Sequence, residues 1–288
     1  MLDRKLIVAG LLAGIMLPGL VLAQATPTPA EAPKAPEAPK APYTLTANVF
    51  FVSDYLFRGI TQTWDKPAIQ GGIDFVHDSG VYLGTWASNV SGNMFAGGSM
   101  EWDFYGGYNY KLNDDITLGA GLYYYYYPGA NNDLQATPGM PGQSYNTFEG
   151  NALATWKWVT LKFNYAFSDY FGASKATGFT DSTNGTYYTQ LDVAYPLPSV
   201  EGLSIIAHAG YTKYSENLAA PNVNGQTDPS YWDFKLGVSY VWKDGWTLGA
   251  YYVDATNSGF YNNTPSLANG TTVNLAKSTG YITVGRTF

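Results

Sequence analysis

The amino-acid sequence predicts an all-β protein, a transmembrane antiparallel β-barrel of about 12 strands with short periplasmic turns and long extracellular loops. Three observations carry this expectation. From Tyr43 to Phe288 apolar and polar residues alternate with a period of two, and no window holds a helical period. The alternating segments run to about ten to thirteen residues, longer than an ordinary strand and long enough for a tilted strand to cross a bilayer. Short and long connections then alternate along the chain, as they do between the two rims of an outer-membrane barrel.

The N-terminus comes first. Arg4 and Lys5 precede the apolar run Leu6 to Leu22, and Ala23-Gln24-Ala25 follows as a small-residue cleavage site. We read residues 1–25 as a signal peptide cut after Ala23 or Ala25, since the run is short and interrupted by Pro18. Residues 26–42, TPTPAEAPKAPEAPKAP, form a Pro/Ala-rich periplasmic linker that cannot bury a core. The barrel domain is expected over 43–288.

The strand segments follow in order. The first covers 44–58 and leads through an outer connection, 59–66, to 67–77. The turn His77-Asp78-Ser79-Gly80 opens 81–90, and the loop 91–98 separates this from 99–112, where Trp102, Phe104, Tyr108 and Tyr110 oppose Glu101, Asp103, Tyr105 and Lys111. Asn113-Asp114-Asp115 turns into 116–127, which contains five consecutive tyrosines, Tyr123 to Tyr127. A long loop, 128–145, precedes 146–157; the corner Lys157-Trp158 leads to 159–171. After 172–185 come 186–197, the turn 198–202 and 203–215. The segment 230–242 turns through Lys243-Asp244-Gly245 into 246–256, and the loop 257–277 leads to the last strand, 278–288. Both termini then fall on the periplasmic side.

Composition agrees. Of 288 residues, 13% are charged against about 25% in ordinary soluble domains, while 25 are tyrosine and 32 glycine. Aromatic residues near strand ends, Trp102, Tyr124, Tyr126, Trp156, Trp158, Trp242 and Trp246, are placed as an aromatic girdle at the membrane interfaces. Phe288 ends an alternating strand and reads as a targeting signal for the barrel-assembly machinery, with Arg286 departing from the pattern. Without residues 1–25 the chain keeps 13 basic and 21 acidic side chains, a net charge of −8, which argues against nucleic acid as a partner. No cysteine is present, so disulfides and thiolate metal sites are excluded.

Three stretches near the start resemble a known family. Ser53-Asp54-Tyr55-Leu56-Phe57-Arg58-Gly59-Ile60, Pro67-Ala68-Ile69-Gln70-Gly71-Gly72-Ile73-Asp74 and Ser79-Gly80-Val81-Tyr82-Leu83-Gly84-Thr85-Trp86-Ala87-Ser88-Asn89 resemble the TorF family of porins, also known as Gcw_chp proteins. The resemblance is sharp over about 47–90 and a matter of pattern beyond. It implies an outer-membrane barrel of a Gram-negative bacterium and says little about the solute.

The strand phases place Asp54, Arg58, Asp74, Glu101, Asp103, Glu149, Lys162, Asp192, Asp233 and Lys235 on the inward face, together with Lys111, Lys157 and Asp254. Such a set lines a water-filled path, and its acidic excess favours cations. The expected function is passive diffusion of small hydrophilic solutes or ions through a weakly cation-preferring, monomeric porin-like channel. The alternative is a non-conducting structural or surface-recognition barrel whose charges pair and whose Tyr105, Tyr123 and Tyr125 fill the interior. Tyr123, Tyr125 and Tyr127 are expected at the outer mouth, Tyr124 and Tyr126 in lipid near the interface. Enzyme chemistry is disfavoured. His77-Asp78-Ser79 is too compact to act as a triad, and His208 has no nucleophile motif beside it. We expect no catalytic residue, metal or cofactor. The Asn-Gly pairs at 184–185 and 269–270 read as turns.

Overall fold

The computed structural model describes residues 41–131 and 144–288. The signal peptide, all but the last two residues of the linker and the centre of the loop at 128–145 lie outside the described residues. Twelve strands form one closed antiparallel barrel. They are β1 (Tyr43–Val52), β2 (Ala68–His77), β3 (Val81–Asn89), β4 (Met100–Lys111), β5 (Ile116–Tyr126), β6 (Thr147–Trp156), β7 (Val159–Ala166), β8 (Tyr187–Pro196), β9 (Leu203–Lys213), β10 (Tyr231–Val241), β11 (Trp246–Ala255) and β12 (Thr279–Thr287). Each strand pairs with its sequence neighbours, and β1 closes on β12 with Phe50 opposite Gly285. Phe288 completes the closure: its amide donates to the Ala47 carbonyl at 2.8 Å, and the Ala47 amide donates back at 3.2 Å. Closure satisfies every edge, which a sheet in lipid requires.

The period-two pattern becomes two opposite surfaces. In β5, Leu118, Leu122, Tyr124 and Tyr126 are exposed while Tyr123 and Tyr125 are buried. In β10, Trp232, Phe234, Leu236 and Val238 are exposed while Asp233, Lys235 and Ser239 are buried. An outside of this kind is unfavourable in water and favourable in hydrocarbon. Trp102, Tyr124 and Tyr126 sit at the outer ends of their strands, and Trp156, Trp158, Trp242 and Trp246 at the periplasmic ends. Arg286 reaches the periplasmic rim, where Nε donates to the Asp244 carbonyl at 3.2 Å and the guanidinium lies 5.0 Å from the Phe288 ring centre.

The short turns hold as expected. In the His77 turn the Ser79 amide donates to the imidazole Nδ1 at 3.1 Å, and Gly80 takes φ 99°. Gly185 and Gly270, of the two Asn-Gly pairs, have φ 95° and 71°.

Two strand ends differ from expectation. The first strand stops at Val52 instead of 58, and the seventh at Ala166 instead of 171. After Val52 the chain folds inward as a small hairpin in which Leu56–Phe57 pairs with Ile60–Thr61. Its two central residues, Arg58 and Gly59, have φ 48° and 77°, the left-handed pair that a two-residue hairpin turn requires. A strand cannot continue through two such residues.

Candidate functional site in the barrel lumen

The inward hairpin crosses the outer half of the lumen. Its tip lies against the wall at β10 and β11, where a Cβ added to Gly59 would fall 2.6 Å from the Asp233 Cβ. From this hairpin Tyr55 donates its hydroxyl to both carboxylate oxygens of Glu101 on β4, at 3.2 Å each. Arg58 reaches β6: its Nη1 and Nη2 donate to Glu149 Oε1 and Oε2 at 2.9 and 2.7 Å, and Nη1 also donates to the Tyr170 hydroxyl at 2.7 Å. The guanidinium packs 4.4 Å from the ring centre of Tyr188 and 4.7 Å from that of Phe57. Asp54 accepts the hydroxyls of Thr61 and Thr63 at 2.7 and 2.9 Å, which ties the hairpin to its own return strand.

A second cluster sits on the wall that the hairpin tip touches. His208 on β9 places Nδ1 2.6 Å from Asp192 Oδ1 and Nε2 2.9 Å from Asp233 Oδ1. The two ring nitrogens thus bridge the carboxylates of β8 and β10. The Tyr188 hydroxyl donates to Asp233 at 3.0 and 3.1 Å. Tyr188 stands on the wall because Gly210 faces it; a Cβ there would land on the phenol. Nearer the periplasm Tyr105 donates to Asp74 at 2.5 Å and stacks on Tyr123, ring centres 5.1 Å apart.

Among the described residues the lumen therefore carries seven buried carboxylates, Asp54, Asp74, Glu101, Asp103, Glu149, Asp192 and Asp233, against the fixed cations Arg58, Lys162 and Lys235. Lys162 feels Glu149 and Asp192, and Lys235 feels Asp192 and Asp233, as partners at longer range than a direct ion pair. All ten ionisable residues assigned to the inward face are buried, though Asp54 and Arg58 arrive on the hairpin and not on a strand. Three further assignments are corrected. Lys111, the last residue of β4, and Lys157, in the turn between β6 and β7, are exposed at the periplasmic rim, 3.2 Å from Asp114 and 3.6 Å from Asp115, because there the side chains reach past the end of the wall into solvent. Asp254, half-buried at the outer end of β11, accepts a hydrogen bond from the Ser278 hydroxyl at 2.6 Å.

Loops complete the outer rim. The Leu267 amide donates to the Asn93 carbonyl at 3.0 Å and the Ser266 hydroxyl to Asn93 Oδ1 at 2.7 Å, so the loop before β12 is tied to the loop after β3. The Ser91 amide donates to the Gln62 carbonyl at 2.9 Å, joining the same loop to the inward hairpin. Tyr127 is buried here and stacks on Phe95, ring centres 4.3 Å apart. Toward the periplasm the inward residues Thr117, Gly119, Asn151 and Leu153 remain partly exposed, so the interior is tightest at the hairpin.

Sequence phase placed Tyr105, the partner of Asp74, on the inward face, but missed Tyr55, Tyr170 and Tyr188. Tyr188 shares the face of Gln190 and Asp192, a signal that was available. Tyr55 and Tyr170 lie outside the barrel strands, where no phase exists to read.

Fold and interior together define a transmembrane β-barrel with an ionisable lumen. Residues 36–288 match a family described as bacterial protein of unknown function (Gcw_chp), and the chain belongs to that family. No curated protein matches it in sequence. Among solved structures it is similar to a KdgM porin, at 10% identity over 84% of this chain and 98% of that one, TM-score 0.48. It is likewise similar to a NanC porin, at 10% identity over 85% and 99%, TM-score 0.49. The P. putida toluene transporter TodX matches at 11% identity over 87% and 90%, TM-score 0.47.

Proposed function

We propose that this protein is an outer-membrane, porin-like channel through which small hydrophilic solutes or ions diffuse passively, with a weak preference for cations. The observation that carries this reading is the pairing of an apolar exterior with a lumen holding seven carboxylates and three fixed cations. Burying so many ionisable groups is costly for a barrel that only needs to be stable, and apolar side chains would fill the space more cheaply. The acidic excess supports cation preference, because carboxylates facing a narrow path attract cations and repel anions. Exposed apolar strands and Phe288 at the closing seam support the outer membrane as the location and assembly through the C-terminal strand. No enzymatic role is proposed, since the hydrogen-bond partners of His208 are Asp192, Asp233 and Tyr188, with no serine or threonine nucleophile among them.

Planar-bilayer recording of the purified barrel tests the reading. Discrete current steps with a reversal potential shifted toward the cation value are expected in a salt gradient. A bilayer that stays silent with correctly folded protein supports the second reading, a non-conducting barrel. That reading has its own observation in its favour: the hairpin crosses the lumen and the Arg58–Glu149 pair, with Tyr170, fills the span.

A further inference from the structure

We propose that the seam between the inward hairpin and the barrel wall is a binding site for an uncharged polyhydroxylated solute, so that the channel selects by hydrogen bonding at its waist as well as by charge. The proposal rests on the channel reading and names the solute class for it. A small cavity lies on this seam, with Tyr55, Phe57 and Arg58 of the hairpin on one side and Trp86, Asp103 and Gln190 of the wall among the residues on the other.

Four of these side chains each leave one buried polar atom without a hydrogen-bond partner: Arg58 Nε, Trp86 Nε1, Asp103 Oδ1 and Gln190 Oε1. All four residues are 2–3% exposed. Buried polar groups are normally paired, and a concentration of unpaired ones around a single cavity marks a place where a guest supplies the partners. Their chemistry states what the guest is. Two are N–H donors and two are oxygen acceptors. An anion would use the donors and face the Asp103 carboxylate; a bare cation would use the acceptors and face both the Arg58 guanidinium and the Lys162 ammonium. A hydroxyl group both donates and accepts, so adjacent hydroxyls on one carbon skeleton satisfy the mixed set. The aromatic faces of Tyr55 and Phe57 supply an apolar surface for the C–H side of such a skeleton. Because the cavity is small, only hydroxyl groups of the solute enter the seam.

The test uses the full-length barrel, shown to be folded by heat-modifiable gel migration, titrated in detergent with glycerol and with glucose. We expect a saturable change in tryptophan emission with at least one of them, absent in Trp86→Phe. Gln190→Met, which removes an acceptor at similar size, is expected to raise the half-saturating concentration about tenfold, equivalent to about 1.4 kcal/mol. Saturation by sodium acetate or glycine in place of the polyols would overturn the assignment of solute class. No saturable response to any of the four probes, or an unchanged response in folded Gln190→Met, would overturn the site. The fluorescence titration needs no open pore, so a silent bilayer refutes the channel reading separately.

Discussion

Arg58 joins more of the lumen than any neighbour of similar size. It is 3% exposed, bonds Glu149 with both terminal nitrogens and packs between the rings of Phe57 and Tyr188. Replacing it by glutamine leaves the Glu149 carboxylate buried without its counter-charge, a loss of about 3–5 kcal/mol for a buried pair broken on one side. Arg58→Gln is therefore expected to lower the unfolding midpoint in detergent and to shift reversal potential further toward cations. Unchanged selectivity in a destabilised barrel would mean that Arg58 only holds the hairpin. The residue itself was conspicuous in the sequence, a cation between Phe57 and Gly59. Its partner was not, because Glu149 is 91 residues away and only the curvature of the closed sheet brings the two together.

At the level of elements, the inward hairpin and the outer loops set the aperture. Replacing residues 54–66 by a short Gly-Ser connection removes Tyr55, Arg58 and the threonines that cap Asp54, while β1 and β2 keep their ten-residue register. Single-channel conductance is expected to rise several-fold in that variant; an unchanged value would place the narrowest point elsewhere. The loop before β10 carries a weaker, pH-dependent anchor. Partial burial raises the Asp228 pKa, but hydrogen bonds from Ser230, including its amide at 2.9 Å, and the nearby Lys213 charge outweigh this and hold it below the ordinary aspartate value. A depressed folded-state pKa stabilises above the ordinary value and loses that contribution as pH falls through the folded one. Proteolysis of residues 216–229 is accordingly expected to accelerate below about pH 4, and less so in Asp228→Asn. Phase in the sequence separated Tyr124 and Tyr126 from Tyr123 and Tyr125 correctly, since alternation along a strand is a local property. In sequence the hairpin reads as the end of a strand, since Ser53 to Arg58 keeps an alternation that the left-handed pair at its tip then breaks.

For the whole molecule, the exterior decides the environment. Leu236 lies in the middle of β10 and is 61% exposed, so Leu236→Arg puts a charge near the centre of the apolar band at a cost of about 2–4 kcal/mol in lipid. Refolding into vesicles should show that cost, whereas Ser239→Ala on the same strand's inner face should be nearly silent. Equal effects from both would contradict the assignment of faces. The class of fold, the strand count and the face of nearly every strand residue were legible in the chain alone. All of these follow from a two-residue period and from where it is interrupted. Closure of the barrel, and not the pattern along the chain, brings the first loop into the lumen, Arg58 to Glu149, His208 between Asp192 and Asp233, and four residues that each hold an unpaired polar atom to the lining of one cavity. Those facts depend on which strands face one another across a closed cylinder, a relation between distant residues that no local period encodes.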